Sequence, residues 1–153
     1  MRKTISIALS AALAASTFIP IQAAEPAKKS GNVVLTPAAD LKWVDVPGFP
    51  VKMAAVQGDP AKGPNHNMQK LPGGFEAPLH HHTSDHFVTV VSGTLVLNVD
   101  GKETRLPPGS YFEFKGKKPH MTKCEAGADC VLAVDARGKW DVVPEEKAAA
   151  KKK

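Results

Sequence analysis

The chain has 153 residues, a hydrophobic fraction of 42% and a formal net charge of +5 at pH 7. This length suggests one domain, and the hydrophobic content is typical of a globular protein rather than a disordered one. After the N-terminal segment the sequence contains no run of 18 apolar residues, so we expect no membrane span in the mature protein. Its charge pattern does not indicate nucleic acid as a partner.

Residues 1–24 have the pattern of a secretory signal peptide. A basic start precedes an apolar stretch, residues 5–21, and small residues follow it. We therefore expect cleavage after Ala23 or Ala24 and a periplasmic or secreted protein. A retained anchor is the alternative, but the apolar stretch is short and contains Ser, Thr and Pro. Cleavage would leave 18 basic and 15 acidic residues, a net charge of +3.

The rest of the chain predicts a folded domain, residues 33–144, between a flexible lead-in, residues 25–32, and a basic disordered tail, residues 145–153. The chain contains 12 Gly and 13 Pro, and short runs rich in β-branched residues alternate with turns. The clearest hairpin signal is Asp100-Gly101. Many short strands with little helical periodicity predict an all-β sandwich or barrel.

Four of the six histidines fall close together, within residues 74–93. This stretch is rich in β-branched residues and ends in a Ser-Gly turn, so we expect a strand. Side chains alternate between the faces of a strand, which would point His80, His82 and His86 to one side and His81 to the other. Neutral imidazole is a common metal ligand. The stretch therefore predicts a metal site, with a solvated histidine tract as the alternative.

Cys124 and Cys130 flank a five-residue spacer that has Gly at its centre. Strand-like residues on both sides predict a hairpin that places the two cysteines opposite each other. In an oxidising compartment this arrangement favours a disulfide. A pair of soft metal ligands is the alternative, although C-x5-C is not a usual zinc spacing.

The spacing of glycines and histidines closely resembles the first conserved motif of the cupin superfamily, G-x5-H-x-H-x3-E-x6-G. Gly74, His80, His82 and Gly93 match the motif, and His86 stands where the pattern has Glu. The resemblance implies an all-β fold, a cupin-type six-stranded β-barrel or jelly roll with a few extra N-terminal strands.

The second cupin motif, G-x5-P-x-G-x2-H-x3-N, is matched only in part. Gly109 and His120 lie in register after a spacer of ordinary length for the family. Lys115, Lys117 and Cys124 stand where the pattern has Pro, Gly and Asn. This half of the resemblance therefore depends on one glycine, one histidine and the spacing.

The resemblance implies one divalent transition metal held by His80, His82, His86 and His120. Four neutral imidazoles leave the positive charge of the ion uncompensated. Such a site favours Fe, Cu, Ni or Zn, and Mn is less suitable.

Cupins support many activities, so the fold does not define one. We expect a small metalloenzyme of the dioxygenase type that acts on a small organic substrate. The alternatives are a non-redox isomerase or lyase, and a non-catalytic protein that binds a metal or a ligand. Tyr111 and Glu113 are weak candidates for a catalytic group, and His66 is expected on the surface. The family also implies a homodimer.

Overall fold

The structure of the protein, a computed structural model, describes residues 33–145. All of its strands lie in the compact unit that begins at Leu35. The predicted signal peptide, the lead-in and the tail from residue 146 onward lie outside the described residues. Within the described range, no helix has the length and apolar character that a membrane crossing requires.

The regular elements of the described residues are one 3₁₀ helix and eleven strands. The helix is Ala38–Asp40. The strands are β1 (Val44–Asp45), β2 (Lys52–Gly58), β3 (Asn65–Leu71), β4 (Glu76–His81), β5 (His86–Ser92), β6 (Leu95–Val99), β7 (Lys102–Leu106), β8 (Tyr111–Phe114), β9 (His120–Cys124), β10 (Cys130–Ala136) and β11 (Val143–Pro144).

The strands form two antiparallel sheets. The six-stranded sheet has the order β1-β2-β3-β10-β5-β8, and the five-stranded sheet has the order β11-β4-β9-β6-β7. The prediction of an all-β fold is confirmed, and the arrangement is that of a jelly roll. Strand β3 begins at Asn65, inside a segment that the sequence pattern would assign to a loop.

The core lies between the two sheets, and β10 illustrates why. Its alternate residues, from Cys130 to Ala136, are buried, while those between them are half-buried. The buried side chains Leu132 and Val134 of β10 join one apolar cluster with Leu95 and Leu97 of β6 in the other sheet. Full burial of such a side chain contributes about 1.5–3 kcal/mol, so this alternation stabilises the sandwich.

The predicted hairpin at Asp100-Gly101 is confirmed. Val99 of β6 is the register partner of Lys102 of β7. Asp100 and Gly101 have positive φ angles of 54° and 82°, as a two-residue type I′ turn requires. The backbone N–H of Gly101 also donates to Asn98 Oδ1 at 3.1 Å.

The two cysteines form a disulfide, but the predicted cysteine hairpin is wrong. Cys124 ends β9 and Cys130 begins β10, with 5.8 Å between their Cα atoms. Strand β9 pairs with β4 and β6, whereas β10 pairs with β3 and β5. The connection therefore crosses from one sheet to the other, and the disulfide links the two sheets at that crossing.

Glu145, the first residue of the predicted tail, is hydrogen-bonded to β4. The backbone N–H of Glu145 donates to the carbonyl of Leu79 at 3.0 Å. Its carboxylate Oε1 accepts a hydrogen bond from His81 Nδ1 at 2.5 Å.

Candidate metal centre

The histidines meet where β4 ends, β5 begins and β9 begins. His80 belongs to β4, His86 opens β5, and His82 lies in the connection between them. His120 opens β9 and is the register partner of His80. All four side chains are buried, with no more than 7% of any residue exposed.

Three of these imidazoles converge closely enough to share one ion. His80, His82 and His120 each offer a nitrogen, and these three nitrogens lie within 4.8 Å of one another. We call these residues the histidine triad. His86 lines the same cavity, with its ring centre 4.7 Å from that of His82 and 6.2 Å from that of His120. The structure therefore places the fourth predicted ligand beside the triad rather than within it.

Each of the four imidazoles donates its Nδ1–H to a backbone carbonyl. The acceptors are Pro78 for His80 at 2.7 Å, Ser84 for His86 at 3.2 Å, Lys118 for His120 at 3.0 Å, and Asp141 for His82. A carbonyl oxygen can only accept, so the proton lies on Nδ1 and the lone pair of Nε2 is free. Metal-binding histidines are oriented by outer hydrogen bonds of this kind. The donor set therefore fits a divalent transition metal.

Burial keeps the four imidazoles neutral, which is the form that binds a metal. Loss of hydration, together with repulsion between neighbouring imidazoles, lowers the pKa of His82 to about 3 and the pKa of His120 to about 4. Burial also lowers the pKa of His80 and the pKa of His86 below the usual value.

Aromatic side chains fix the planes of two of these rings. Trp140 stacks on His82 with 4.1 Å between ring centres and lies edge-on to His86 at 5.3 Å. Phe114 stacks on His120 at 4.2 Å, with 13° between the ring planes. No sequence pattern signals the role of Trp140, because this residue lies far along the chain from the histidine stretch.

The segment that carries Trp140 is hydrogen-bonded to the β4–β5 connection. The carboxylate of Asp141 accepts hydrogen bonds from the Thr83 backbone N–H at 2.8 Å and from Thr83 Oγ1 at 2.7 Å. The carbonyl of Asp141 accepts the Nδ1–H of His82. One residue therefore orients a histidine of the triad and positions the neighbouring indole.

The histidines line a cavity between the sheets that has a volume of about 80 Å³ and opens to solvent. Most of the wall is apolar, with Phe75, Phe112 and Leu132 among its side chains. Apart from the four histidines, Gln69 and Thr122 are the polar residues whose side chains line the cavity in the described part of the chain.

The other candidate residues lie outside this cavity. Tyr111 is 58% exposed, Glu113 is also exposed, and the Tyr111 hydroxyl donates to Glu113 at 3.4 Å. Their placement contradicts a catalytic role next to the histidine triad, because alternation along β8 directs both side chains away from the core. His81 contacts Glu145, and His66 is exposed on β3.

A family model described as a cupin domain matches residues 67–135. The match includes all four histidines of the cavity, and the structure adds the two-sheet fold around them. Residues 67–135 therefore form a cupin domain. No match to a curated protein is found.

Several solved structures are similar to the chain over about two thirds or more of its length. The polyketide cyclase RemF from Streptomyces resistomycificus is 20% identical with a TM-score of 0.63, and the alignment covers 74% of this chain and 86% of RemF. An RmlC-like cupin protein from Ralstonia eutropha is 21% identical with a TM-score of 0.59, covering 71% of each chain.

A predicted oxalate decarboxylase from Thermotoga maritima is 17% identical with a TM-score of 0.58, covering 68% of this chain and 98% of the other. At these identities the similarity concerns the fold alone. The proteins with this fold carry different activities, so the function of this cupin must be argued from its own cavity.

Proposed function

We propose that this cupin is an exported metal-dependent enzyme of the dioxygenase type that acts on a small, mainly apolar organic molecule. The observation that carries the proposal is the composition of the cavity. Three histidine nitrogens converge in it, and the lining residues in the described part of the chain include no carboxylate, amine or phenol.

The absence of these groups from the lining argues against acid–base chemistry by side chains. A general acid or base needs a pKa near the working pH. The only titratable groups in the described lining are imidazoles, and burial lowers the pKa of each of the four. The bound metal would therefore supply the reactive chemistry, activating dioxygen if the ion is redox-active.

The residues of the chain have supporting roles in this proposal. His80, His82 and His120 would hold the ion, with His86 available as a fourth ligand. The apolar wall would bind the substrate and exclude water. Trp140 packs against His82 and His86 and would keep their rings from turning away from the ion.

Four neutral imidazoles favour Fe, Cu, Ni or Zn over Mn. The variant His86→Glu would restore the usual cupin ligand set. If His86 coordinates the ion, this change shifts the metal preference toward Mn or Fe in a competition among metals. Unchanged metal content and preference would place His86 outside the coordination sphere.

Oxygen uptake tests the proposed activity. The mature protein, purified without a polyhistidine tag, is loaded in separate samples with Fe(II), Cu(II), Ni(II) and Zn(II) and given small phenols, diketones or thiols. We expect uptake with a redox-active ion, its loss in His80→Gln, and no change in the surface control His66→Gln. Metal binding with no uptake and no other turnover would instead indicate a non-catalytic binding protein.

A non-redox isomerase, lyase or cyclase is the second candidate, and the position of His86 favours it. Its Nδ1–H is bound to Ser84, and it stands beside the triad. Burial makes its Nε2 a weak base, so in this candidate it would accept a proton only from a substrate that the bound ion has made more acidic. Turnover without oxygen in the zinc-loaded protein, abolished by His86→Gln, would select this candidate over the dioxygenase.

Export is also part of the proposal. The N-terminal pattern supports it, and the disulfide is indirect support because such bonds persist in oxidising compartments. Mass spectrometry of the protein recovered from the periplasm should show a chain that begins at Ala24 or Glu25. An uncleaved N-terminus would contradict it. Light scattering on the same sample would test the expected homodimer.

A further inference from the structure

Strand β3 buries three amide side chains on its inward face. Asn65, Asn67 and Gln69 are 3%, 1% and 7% exposed. Alternation along a strand of a sandwich ordinarily places apolar side chains at such positions. A buried amide is costly unless it is hydrogen-bonded, so the partners of these three residues determine how they are oriented.

Their hydrogen bonds run in one direction along the strand. Asn65 Nδ2 donates to the carbonyls of Gly63 at 2.9 Å and Gly138 at 3.1 Å. Asn65 Oδ1 accepts from Asn67 Nδ2 at 2.7 Å, and Asn67 Oδ1 accepts from Gln69 Nε2 at 3.1 Å. We call these three residues the amide relay. Backbone carbonyls can only accept, so the amide nitrogen of Asn65 must face them. The orientation of each amide then determines the orientation of the next one.

The relay ends in the cavity with an acceptor. Gln69 Nε2 is bound to Asn67, and Gln69 Oε1 receives no hydrogen bond from the described residues. No fully buried side-chain nitrogen or oxygen of the described residues lacks a partner, so Oε1 must reach the cavity space that Gln69 lines. Gln69 belongs to the six-stranded sheet, whereas His80 and His120 belong to the five-stranded sheet.

We propose that Gln69 determines the specificity of the cavity, its Oε1 accepting a hydrogen bond from a hydroxyl or N–H group of a small, otherwise apolar ligand. Where this ligand is taken to be the substrate, the inference rests on the proposed function. It defines the substrate class as small phenols, and related alcohols and amines, in preference to hydrocarbons and ethers of the same shape.

The physical reason is the cost of an unpaired acceptor. A ligand without a donor displaces water from Oε1 and leaves this oxygen without a hydrogen bond. A buried polar group left unsatisfied in this way costs about 1–3 kcal/mol, which corresponds to roughly five- to hundredfold weaker binding. In a wall without an acceptor the order would be reversed, because a hydroxyl is more costly to dehydrate than a methyl group.

Three matched probes test the proposal on the full-length mature protein. 4-Ethylphenol carries a donor, 4-ethyltoluene replaces its hydroxyl with a methyl group, and 4-ethylanisole keeps an oxygen that can only accept. Dissociation constants are measured by calorimetry on metal-loaded protein and on protein treated with a chelator. We expect the phenol to bind roughly tenfold or more tightly than either analogue in both forms.

The variant Gln69→Met removes the acceptor while keeping the length of the side chain. It should abolish the preference for the phenol, chiefly by weakening phenol binding. Leu132→Met is the matched control, since Leu132 is the register partner of Gln69 and also lines the cavity. This control should keep the preference.

Other outcomes overturn the inference. One is that the wild-type protein binds the toluene as tightly as the phenol, a result that does not require any variant to fold. Another is that Gln69→Met leaves the preference undiminished, because an imidazole Nε2 or the ion would then bind the phenol oxygen. A preference that appears only with metal would likewise assign the phenol oxygen to the ion. These outcomes are distinguishable from failure of the proposed function. If the protein is not a dioxygenase, no oxygen uptake is seen, but the preference for the phenol in the metal-free protein is unaffected.

Discussion

The two cupin motifs bring histidines to one site from very different sequences. The first, residues 74–93, departs from the family pattern only at His86, whereas the second, residues 109–124, has lost three of its residues. Even so, His80 and His120 are register partners, and each donates its Nδ1–H to the carbonyl two residues before it. Backbone geometry, more than the consensus residues, therefore places the ligand.

Lys117 shows how the second motif keeps that geometry. It stands where the family pattern has Gly, and its φ is 65°, in the left-handed region that favours glycine. Its backbone N–H donates to the carbonyl of His82 at 2.8 Å. The turn of the second motif is therefore bonded to the histidine loop of the first, and this bond helps to hold Lys117 in a costly conformation.

The largest expected effect comes from removing one triad imidazole in each motif. His80→Gln and His120→Gln should each weaken metal binding by about 100-fold or more, beyond the 10- to 100-fold typical of outer hydrogen-bond partners. A competition titration with a chromogenic chelator measures this, with the exposed His66→Gln as the control. If only the first-motif variant lost metal, the two motifs would not contribute equally to one site.

Acid should destabilise the metal-free protein through histidines of both motifs. Burial holds the folded-state pKa of His82 at about 3 and that of His120 at about 4, below the value of about 6.5 in an unfolded chain. As the pH falls from 6.5, the unfolded state binds more protons than the folded state, so stability falls.

At pH 5 each of these two imidazoles should lower the free energy of unfolding by up to about 2 kcal/mol relative to neutral pH, because it binds a proton only in the unfolded state. Urea unfolding of chelator-treated protein at pH 7.5 and pH 5 measures the loss. A variant with His82→Gln and His120→Gln should show a smaller difference between the two pH values. Equal losses in the variant and the wild type would assign the acid sensitivity to other groups.

The smallest effect concerns the glycine positions of the two motifs. Lys117→Gly should stabilise the protein by about 1 kcal/mol, because glycine adopts a positive φ without the penalty of a side chain. Gly74→Ala is the matched change in the first motif. Gly74 has φ 85° and open space around an added Cβ, so this change should destabilise by a similar amount.

Thermal or urea unfolding of the two variants gives the comparison directly. Destabilisation by Lys117→Gly would show that the lysine side chain contributes more than its backbone conformation costs.

The sequence was sufficient for the fold class and for most of the metal site. Short alternating runs and the Asp100-Gly101 turn identify a β sandwich, because these signals are local. The histidines were found because their spacing matches the family motif, but the expected single strand is wrong: β4 ends at His81, and His86 opens β5 in the other sheet. All four histidines are buried, at 2–7% exposure.

The remaining features depend on contacts between distant parts of the chain. Trp140 reaches His82 only because Asp141 is bonded to Thr83, and no local pattern signals that pairing. Asn65 and Asn67 resemble loop residues in sequence, because amides on a buried strand face violate the usual alternation. The cysteine spacer resembles a hairpin loop but connects two sheets. Whether such a spacer pairs its flanking strands or separates them depends on strand pairing across the whole domain.

The metal content of the mature protein shows whether the two motifs build one metal centre. The protein is purified from the periplasm without a polyhistidine tag or a metal column, and its elements are measured with and without reconstitution. We expect about one equivalent of Fe, Cu, Ni or Zn per chain, and its loss in His80→Gln and in His120→Gln. Folded protein that holds no metal, and regains none when each ion is supplied, would contradict this expectation.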